Sequence, residues 1–224
     1  MKNLLLFLVF VCTLSLPCWG NPVPFSPIVR NYSVLDYNAG NENWAVAQDG
    51  RGVMYFGNNS GLLRYDGSRW KLFPLPASGI VRAVYVASDG RIYVGSFEEF
   101  GYFEENDLNL LEYHSLKDQV KGFNFHNDEI WTIVEQGGNI VFQSFGSYFI
   151  YDGTTTKGVR CHELPLNLFR VGDTVYSQLI NAGVCVFTGD RFTPLISRQE
   201  LGNSDVLAGL PYPGGMLLLT RNSG

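Results

Sequence analysis

The residues that most often carry catalysis are few in this sequence, and they are not arranged as a catalytic site. The histidines His114, His126 and His162 have no second metal-ligating residue at a typical spacing. The sequence contains no nucleophile elbow, phosphate-binding loop or HExxH motif. Glu98 and Glu99 are adjacent, so on a strand their carboxylates would point to opposite faces and could not flank one bond. These residues predict binding rather than catalysis, with no cofactor and no metal site.

Polar and aromatic residues recur in a series of short turns that follow apolar strands. Amide and carboxylate groups hydrogen-bond sugar hydroxyls, and aromatic rings stack on the apolar faces of sugars. The turns therefore predict a carbohydrate site, provided that they converge on one face of the protein. The candidate ligand-binding residues are Asn58, Asn59, Glu98, Glu99, Phe100, Phe145, Tyr148 and Asn181. The alternative is that each of them is only a turn residue or a solvated strand edge.

Three tryptophans, Trp44, Trp70 and Trp131, are alternative candidates for a sugar-stacking platform. Trp44 and Trp131 occupy equivalent positions in a repeated strand, in which alternate residues face the same side. Because equivalent positions in repeats tend to serve the same structural task, we expect both rings to pack between neighbouring repeats.

The stretch DGRGVMYFGNNSGLLRYDG, residues 49–67, is a unit that returns along the chain. It contains an Asp-Gly turn, an apolar strand, a second turn that ends in glycine, and another strand closed by Asp-Gly. The centres of the first apolar strand lie at Tyr55, Tyr93, Val141, Tyr176 and Leu218. Their mean separation is about 40 residues, which is the length of a β-propeller blade. The sequence therefore predicts an all-β protein, a β-propeller of four-stranded antiparallel blades with about four and a half blades present.

Alternating apolar residues predict the innermost strand of each blade. These strands are predicted at Trp44–Ala47, Ala83–Val86, Glu129–Ile133, Phe169–Val171 and Leu207–Leu210. Glycines predicted to take positive φ angles or to serve turns are Gly50, Gly61, Gly90, Gly101 and Gly183.

The composition limits the class of protein and the class of partner. Only 17% of the residues are charged, whereas 46% are hydrophobic and 14% aromatic, so the chain can bury a large core. The formal net charge is -5, and no run of Lys or Arg occurs. Since contacts to phosphates need clustered cations, this segment is not expected to bind nucleic acid.

Residues 1–20 have the pattern of a signal peptide, with Lys2, an apolar run over Leu4–Leu16 and a small-residue cleavage site that ends at Gly20. An uncleaved membrane anchor and lipidation of Cys18 are the alternatives. The signal peptide predicts export to the periplasmic side.

The rest of the chain divides into a Pro-rich lead, residues 21–28, and a partial propeller sensor domain, residues 29–224. We expect Val29–Leu35 to form a strand that closes the ring with the last blade. Because the final residues end in the middle of a predicted hairpin, we expect the sequence to be an N-terminal fragment.

Cys161 and Cys185 fall on different predicted blades and are expected to stay unpaired, with a disulfide as the alternative.

The repeat resembles the two-component-regulator propeller repeat, most closely in DGRGVMYFGNNSGLLRYDG and DGRIYVGSFEEFGYF. That family comprises periplasmic sensor regions of hybrid two-component histidine kinases and of related triple-tyrosine-domain transcriptional regulators. The resemblance covers residues 29–224. The later repeats depart from it, because Gln143 and Gln178 stand where the family usually has glycine.

The resemblance implies a periplasmic ligand-sensing region of a transmembrane signalling or transcriptional regulator, and the turn residues make a carbohydrate the expected ligand. The implied partners are an oligosaccharide, downstream domains of the same chain that include a kinase or a helix-turn-helix module, and a second copy in a homodimer. Membrane contact would occur only through a C-terminal region after residue 224. The alternatives are a secreted propeller enzyme, a lyase or glycosidase that acts on polysaccharide, and an exported scaffold without a small ligand.

Overall fold

The computed structural model describes residues 28–76, 79–108, 110–189 and 191–221. The chain divides into two compact units, residues 1–32 and residues 33–224. The predicted signal peptide and nearly all of the Pro-rich lead lie outside the described residues. In the described part of the first unit, residues 28–32 form neither helix nor strand, and the guanidinium of Arg30 lies 4.9 Å from the ring centre of Tyr32.

The second unit begins with one turn of helix, α1, over Val34–Tyr37. The prediction of a strand at Val29–Leu35 is therefore wrong, and this stretch adds no strand to the described sheets. The Asp36 carboxylate accepts hydrogen bonds from the backbone N–H of Ser33 at 2.6 Å and from its hydroxyl at 2.8 Å. These bonds cap the helix start, and Asn38 ends the helix in a left-handed conformation with φ 47°.

The described residues form four four-stranded sheets and one two-stranded sheet, in which all neighbouring strands are antiparallel. Blade 1 contains β1 (Asn43–Gln48), β2 (Met54–Asn58), β3 (Gly61–Tyr65) and β4 (Trp70–Phe73). Blade 2 contains β5 (Ala83–Val86), β6 (Ile92–Gly95), β7 (Phe100–Glu105) and β8 (Leu111–Ser115). A 3₁₀ turn follows at Lys117–Gln119.

Blade 3 contains β9 (Thr132–Gln136), β10 (Asn139–Gln143), β11 (Ser147–Tyr151) and β12 (Thr156–Arg160). Blade 4 contains β13 (Pro165–Val171), β14 (Thr174–Leu179), β15 (Gly183–Phe187) and β16 (Phe192–Ile196). The two-stranded sheet contains β17 (Val206–Tyr212) and β18 (Gly215–Thr220). The predicted repeat of four antiparallel strands is confirmed.

The first strands of successive blades are neighbours in space, β1 with β5, β5 with β9, β9 with β13, and β13 with β17. Three buried apolar clusters fill the space between blades 1 and 2, blades 2 and 3, and blades 3 and 4. Tyr55, Phe100, Phe142 and Phe187 are fully buried members of these clusters. Blades packed face to face in sequence order define a β-propeller.

Four of the five predicted innermost strands lie within β1, β5, β13 and β17, but the prediction for Glu129–Ile133 is shifted. In the structure β9 begins only at Thr132. The preceding residues bond to blade 2 instead, with Glu129 bridged to Phe97 and the N–H of Ile130 donating to the carbonyl of Ser96 at 3.0 Å. The alternation of apolar residues continues through residues 129–131, so the sequence pattern does not show where β9 begins.

Glycine at the end of the second strand lets the next blade approach closely in blades 1 and 2. A Cβ at Gly57 would lie 2.6 Å from the carbonyl oxygen of Val81, and one at Gly95 would overlap Ile130. These glycines are therefore required by the close approach of the next blade rather than by a turn.

Blades 3 and 4 use a buried glutamine at the same position. The Gln143 amide donates to the carbonyl of Pro165 at 3.0 Å, and its side-chain oxygen accepts the N–H of Leu168 at 2.8 Å. The Gln178 amide likewise donates to the carbonyl of Ser204 at 3.2 Å, and its side-chain oxygen accepts the N–H of Val206, the first residue of β17, at 2.6 Å. The departure from glycine thus replaces a close approach with two hydrogen bonds to the next blade.

The glycine predictions have mixed outcomes. Gly61, Gly90 and Gly183 have φ angles of 134°, 84° and 93°, as expected for turns. Gly50 does not have a positive φ angle, because the left-handed residue of its turn is Gly52, with φ 85°. The prediction for Gly101 is wrong, since it lies within β7 and a Cβ there would meet the backbone of β8.

The two cysteines of the described chain are not joined. Cys185 is buried in β15, and Cys161 is half-buried after β12. The expectation that they stay unpaired is confirmed. Burial raises the pKa of the Cys161 thiol to about 11, so the thiol stays protonated at neutral pH.

Candidate functional site

Each blade has two ends that differ in the groups they present. Because neighbouring strands are antiparallel, the start of the first strand lies beside the turn between the second and third strands, as the pairing of Asn43 with Asn58 shows. We call this end the tryptophan face, which carries Trp44 and Trp131. The opposite end, with the turn between the first and second strands, is the Asp-Gly face, which carries Asp49.

At the tryptophan face, three successive blades contribute one side chain each from the start of the first strand. The guanidinium carbon of Arg82 lies 3.8 Å from the ring centre of Trp44 and 5.1 Å from that of Trp131. The two indole rings meet edge to face at 6.4 Å, and the Phe145 ring lies 5.7 Å from Trp131. A cation held against an aromatic face in this way is stabilised by roughly 0.5–2 kcal/mol.

Polar partners fix the orientation of these side chains. The Arg82 Nε donates to the Glu129 carboxylate at 2.7 Å, and these side chains are only 15% and 24% exposed. The Trp44 indole N–H donates to the side-chain oxygen of Asn59 at 2.7 Å, and the Asn59 amide donates to Glu42 at 3.0 Å. The tryptophan cluster is defined as Trp44, Asn59, Arg82, Glu129, Trp131 and Phe145.

Two N–H donors of the tryptophan cluster have no acceptor. Within the described part of the chain, Nη1 of Arg82 and Nε1 of Trp131 are buried and make no hydrogen bond. A buried donor without a partner costs about 1–3 kcal/mol and is uncommon in folded proteins. The Trp44 and Phe145 side chains are 44% and 54% exposed, so the same cluster presents aromatic surface to solvent. Exposed rings above unpartnered donors are suited to an oxygen-rich ligand with apolar faces.

Of the predicted ligand-binding residues, the structure brings Asn59 and Phe145 together in the tryptophan cluster. Glu98, with φ 46°, accepts the N–H of Asn127 at 3.0 Å instead. The Glu99 carboxylate accepts the hydroxyls of Tyr113 and Ser115, both at 2.7 Å. The two carboxylates have separate partners, although neither residue lies in a strand as the prediction assumed.

The other four predicted residues lie elsewhere. Asn58 is buried, and its amide donates to the backbone of Gly40 at 2.8 Å. Phe100 is fully buried between blades 2 and 3, and Tyr148 is buried between blades 3 and 4, where its ring lies 5.3 Å from that of Phe187. The structure gives these three side chains contacts that stabilise the fold, and it places Asn181 in an exposed turn after β14.

Sequence reasoning missed Arg82 and Glu129. It also placed Trp44 and Trp131 between adjacent blades, whereas the structure places their rings against each other and against Arg82, across three blades. The equivalent positions of the two tryptophans held the signal, because equivalent residues at the start of the first strand converge near the propeller axis. The repeat pattern aligns Val84 with the two tryptophans, but in the structure it is Arg82 that lies against both rings.

Polar groups of the Asp-Gly face satisfy one another within the turns. The Asp49 carboxylate accepts the N–H groups of Arg51 and Val53, both at 2.9 Å, and the hydroxyl of the buried Tyr55 at 3.3 Å. Burial alone would raise the pKa of Asp49, but these hydrogen bonds and the Arg51 charge lower it. The equivalent Asp89 accepts the Tyr93 hydroxyl at 2.9 Å.

Two cavities of about 470 and 440 Å³ open on the Asp-Gly face, and Ser88 borders both. A third cavity, of about 370 Å³, lies between blades 3 and 4 and is bordered by Tyr148 and Cys161.

Among the residues described, no group of three His, Cys, Asp or Glu side chains could hold a metal ion. Nor does any helix of the described residues have the length and hydrophobicity needed to cross a membrane.

Comparison of the whole chain with known proteins shows the fold. No protein-family model matches the chain, and no curated protein matches its sequence. Virginiamycin B lyase from Staphylococcus aureus, solved with quinupristin as a catalytically inactive variant, is similar with a TM-score of 0.61 and 11% identity. That similarity covers 87% of this chain and 74% of the lyase.

A second similar structure is the extracellular domain of BT4673 from B. thetaiotaomicron, described both as a one-component and as a hybrid two-component system. Its TM-score is 0.58 at 15% identity, and it covers 80% of this chain. The chain spans 25% of the length of that domain. The structural neighbours of this propeller thus include both a sensor domain and a lyase.

Proposed function

We propose that this chain is the ligand-sensing propeller region of an exported, membrane-anchored signalling regulator, and that it binds a carbohydrate at the tryptophan cluster. The signal-peptide pattern of residues 1–20, the repeat and the likeness to the BT4673 extracellular domain support a sensor. Downstream domains of the same chain would anchor it and transmit the signal, and a second copy could pair with it in a homodimer.

The observation that carries this proposal is the composition of the tryptophan cluster. Trp44 and Phe145 expose aromatic surface, and the unpartnered donors of Arg82 and Trp131 lie next to it. Sugars combine apolar CH faces, which stack on rings, with oxygens that accept hydrogen bonds. Since three blades build the cluster, a ligand bound there contacts several blades at once.

Calorimetric titration of the exported chain with a panel of soluble oligosaccharides tests the proposal. Phe145→Ala should weaken binding by about tenfold, because it removes one stacking surface and leaves the rest of the cluster in place. Tyr212→Ala is the matched control, since Tyr212 is 63% exposed at the far end of β17. Equal loss in both variants, or no binding of any sugar by the wild type, would overturn the proposal.

The likeness to virginiamycin B lyase favours a second candidate, a secreted lyase. In that enzyme a histidine-to-alanine variant is described as catalytically inactive. Here the ring of His114 stacks on Tyr102 at 5.0 Å, and His126 and His162 are exposed outside the tryptophan cluster. This arrangement supports binding without catalysis. Ultraviolet absorbance from an unsaturated product, formed from a bound polysaccharide by the wild type, would instead support the lyase.

A further inference from the structure

Among the described residues, the buried polar groups of the tryptophan cluster that have no partner are donors. The Glu129 carboxylate already accepts from Arg82, and the Asn59 side-chain oxygen already accepts from Trp44. What remains are the N–H groups at Nη1 of Arg82 and Nε1 of Trp131. A group that pairs with them must therefore supply acceptors.

A carboxylate supplies acceptors only, whereas each sugar hydroxyl brings a donor hydrogen with its acceptor oxygen. The guanidinium is planar, and its face is covered by the Trp44 ring at 3.8 Å, so its edge is left for hydrogen bonds in the plane. Nε is used by Glu129, which leaves the Nη1 edge for a second carboxylate. Charge-assisted bonds of this kind are about twice as strong as neutral ones.

Access to the two donors requires movement of an exposed side chain. Trp131 contacts the rings of both Trp44 and Phe145, which are 44% and 54% exposed. Exposed side chains change rotamer within nanoseconds, and Phe145 has no polar anchor to hold it. A rotation of the Phe145 ring would uncover Trp131, which it contacts, and would place the Phe145 ring against the sugar.

We propose that the tryptophan cluster selects an acidic sugar, a uronic acid whose carboxylate accepts from Nη1 of Arg82 and Nε1 of Trp131. This inference rests on the proposed carbohydrate-sensing function and names its ligand class. Trp44 and Phe145 stack on the sugar ring, and Glu129 keeps the guanidinium oriented. Arg82 and Trp131 are the residues that discriminate the acid from a neutral sugar.

The test is a calorimetric titration of the exported chain with short oligogalacturonate and with its methyl ester. The ester has the same backbone but no charge. The wild type should bind the acid at least about tenfold more tightly, which corresponds to one charge-assisted hydrogen bond. Arg82→Gln should reduce this preference to about twofold or less, while Arg170→Gln, an exposed arginine of β13, should leave it unchanged.

Trp131→Phe is the second variant, because it keeps an aromatic side chain and removes the N–H together with part of the indole. It should lower the affinity for the acid about fivefold or more and lower that for the ester by less, even if Arg82→Gln fails to fold. A sulfated neutral oligosaccharide separates the anion types, since tighter binding of the sulfate would overturn the assignment to a uronic acid. Equal binding of acid and ester would also overturn it while the sensing function stands. Failure of every sugar would overturn both.

Discussion

The Asp-Gly face and the tryptophan face use carboxylates in opposite ways. On the Asp-Gly face, Asp49 accepts hydrogen bonds from its own turn and from the buried Tyr55 hydroxyl. On the tryptophan face, Glu129 holds an arginine whose buried Nη1 has no acceptor among the described residues. Both ends belong to the same strands, so the difference comes from the side chains at the strand termini and not from the fold.

The comparison separates groups that stabilise the protein from groups that are available to a ligand. Turn carboxylates with several donors contribute to the free energy of unfolding, because their removal leaves buried donors unsatisfied. Donors without acceptors lower that free energy in the unliganded protein and increase the gain on binding. The Asp-Gly face is thus expected to govern stability, and the tryptophan face affinity.

The largest effect is expected for Asp49→Ala. The variant removes the acceptor for the N–H groups of Arg51 and Val53 and for the hydroxyl of Tyr55, which is completely buried. The free energy of unfolding should fall by roughly 2–3 kcal/mol, measured by denaturant titration. Sugar affinity of the folded protein should not change.

A matched control for this variant is Asp173→Ala, which removes a fully exposed carboxylate that pairs with Arg170 at 3.3 Å. Exposed ion pairs of this kind contribute about 0–1 kcal/mol. A similar loss in the two variants would show that the Asp-Gly turn does not depend on its buried hydrogen bonds.

The same turn should make stability depend on pH. The pKa of Asp49 is lowered below its ordinary value of 3.8, because hydrogen bonds and the Arg51 charge outweigh the effect of burial. A carboxyl group with a lowered pKa stabilises the fold above the ordinary value, and this contribution is lost as pH falls through the folded value. Melting temperatures taken from neutral to acidic pH should therefore fall more below pH of about 4 in the wild type than in Asp49→Asn. Parallel curves would contradict this assignment.

The smallest change in stability is expected for Trp131→Phe on the tryptophan face. The variant removes a buried N–H that has no acceptor among the described residues, and it keeps an aromatic ring, smaller than the indole, beside Trp44 and Phe145. The free energy of unfolding should change by no more than about 1 kcal/mol, because the lost part of the indole offsets the relief of the unsatisfied N–H, although binding of an acidic sugar weakens. A loss of 2 kcal/mol or more, as expected at Asp49, would remove the distinction between the two faces.

The propeller could be predicted from the sequence because its signals are local. The spacing of Tyr55, Tyr93 and Val141, with turn glycines between them, depends only on strand and turn preferences. The strand predicted at Val29–Leu35 failed because a capping interaction of Ser33 with Asp36 competes with apolar alternation.

The site was harder to predict, because it depends on contacts between residues of three blades. The turn pattern predicts Asn59 and Phe145, which lie in the tryptophan cluster, but nothing local distinguishes Arg82 from a solvated arginine. Phe100 and Tyr148 follow the same turn pattern as Phe145, yet their side chains point into the clusters between blades. The direction in which such a side chain points relative to the blade faces is set by the packing of whole sheets. A turn motif does not encode that packing.

The most direct test of ligand binding at the tryptophan face is tryptophan fluorescence in a Trp70→Phe background. Trp44 and Trp131 are then the reporters that remain after residues 1–20, and Phe at position 70 keeps the stacking with Tyr65, whose ring lies 4.4 Å away. Titration with a bound sugar should produce a saturable change in emission with the same Kd as calorimetry. Calorimetric binding without any change in emission would place the ligand elsewhere and contradict the account.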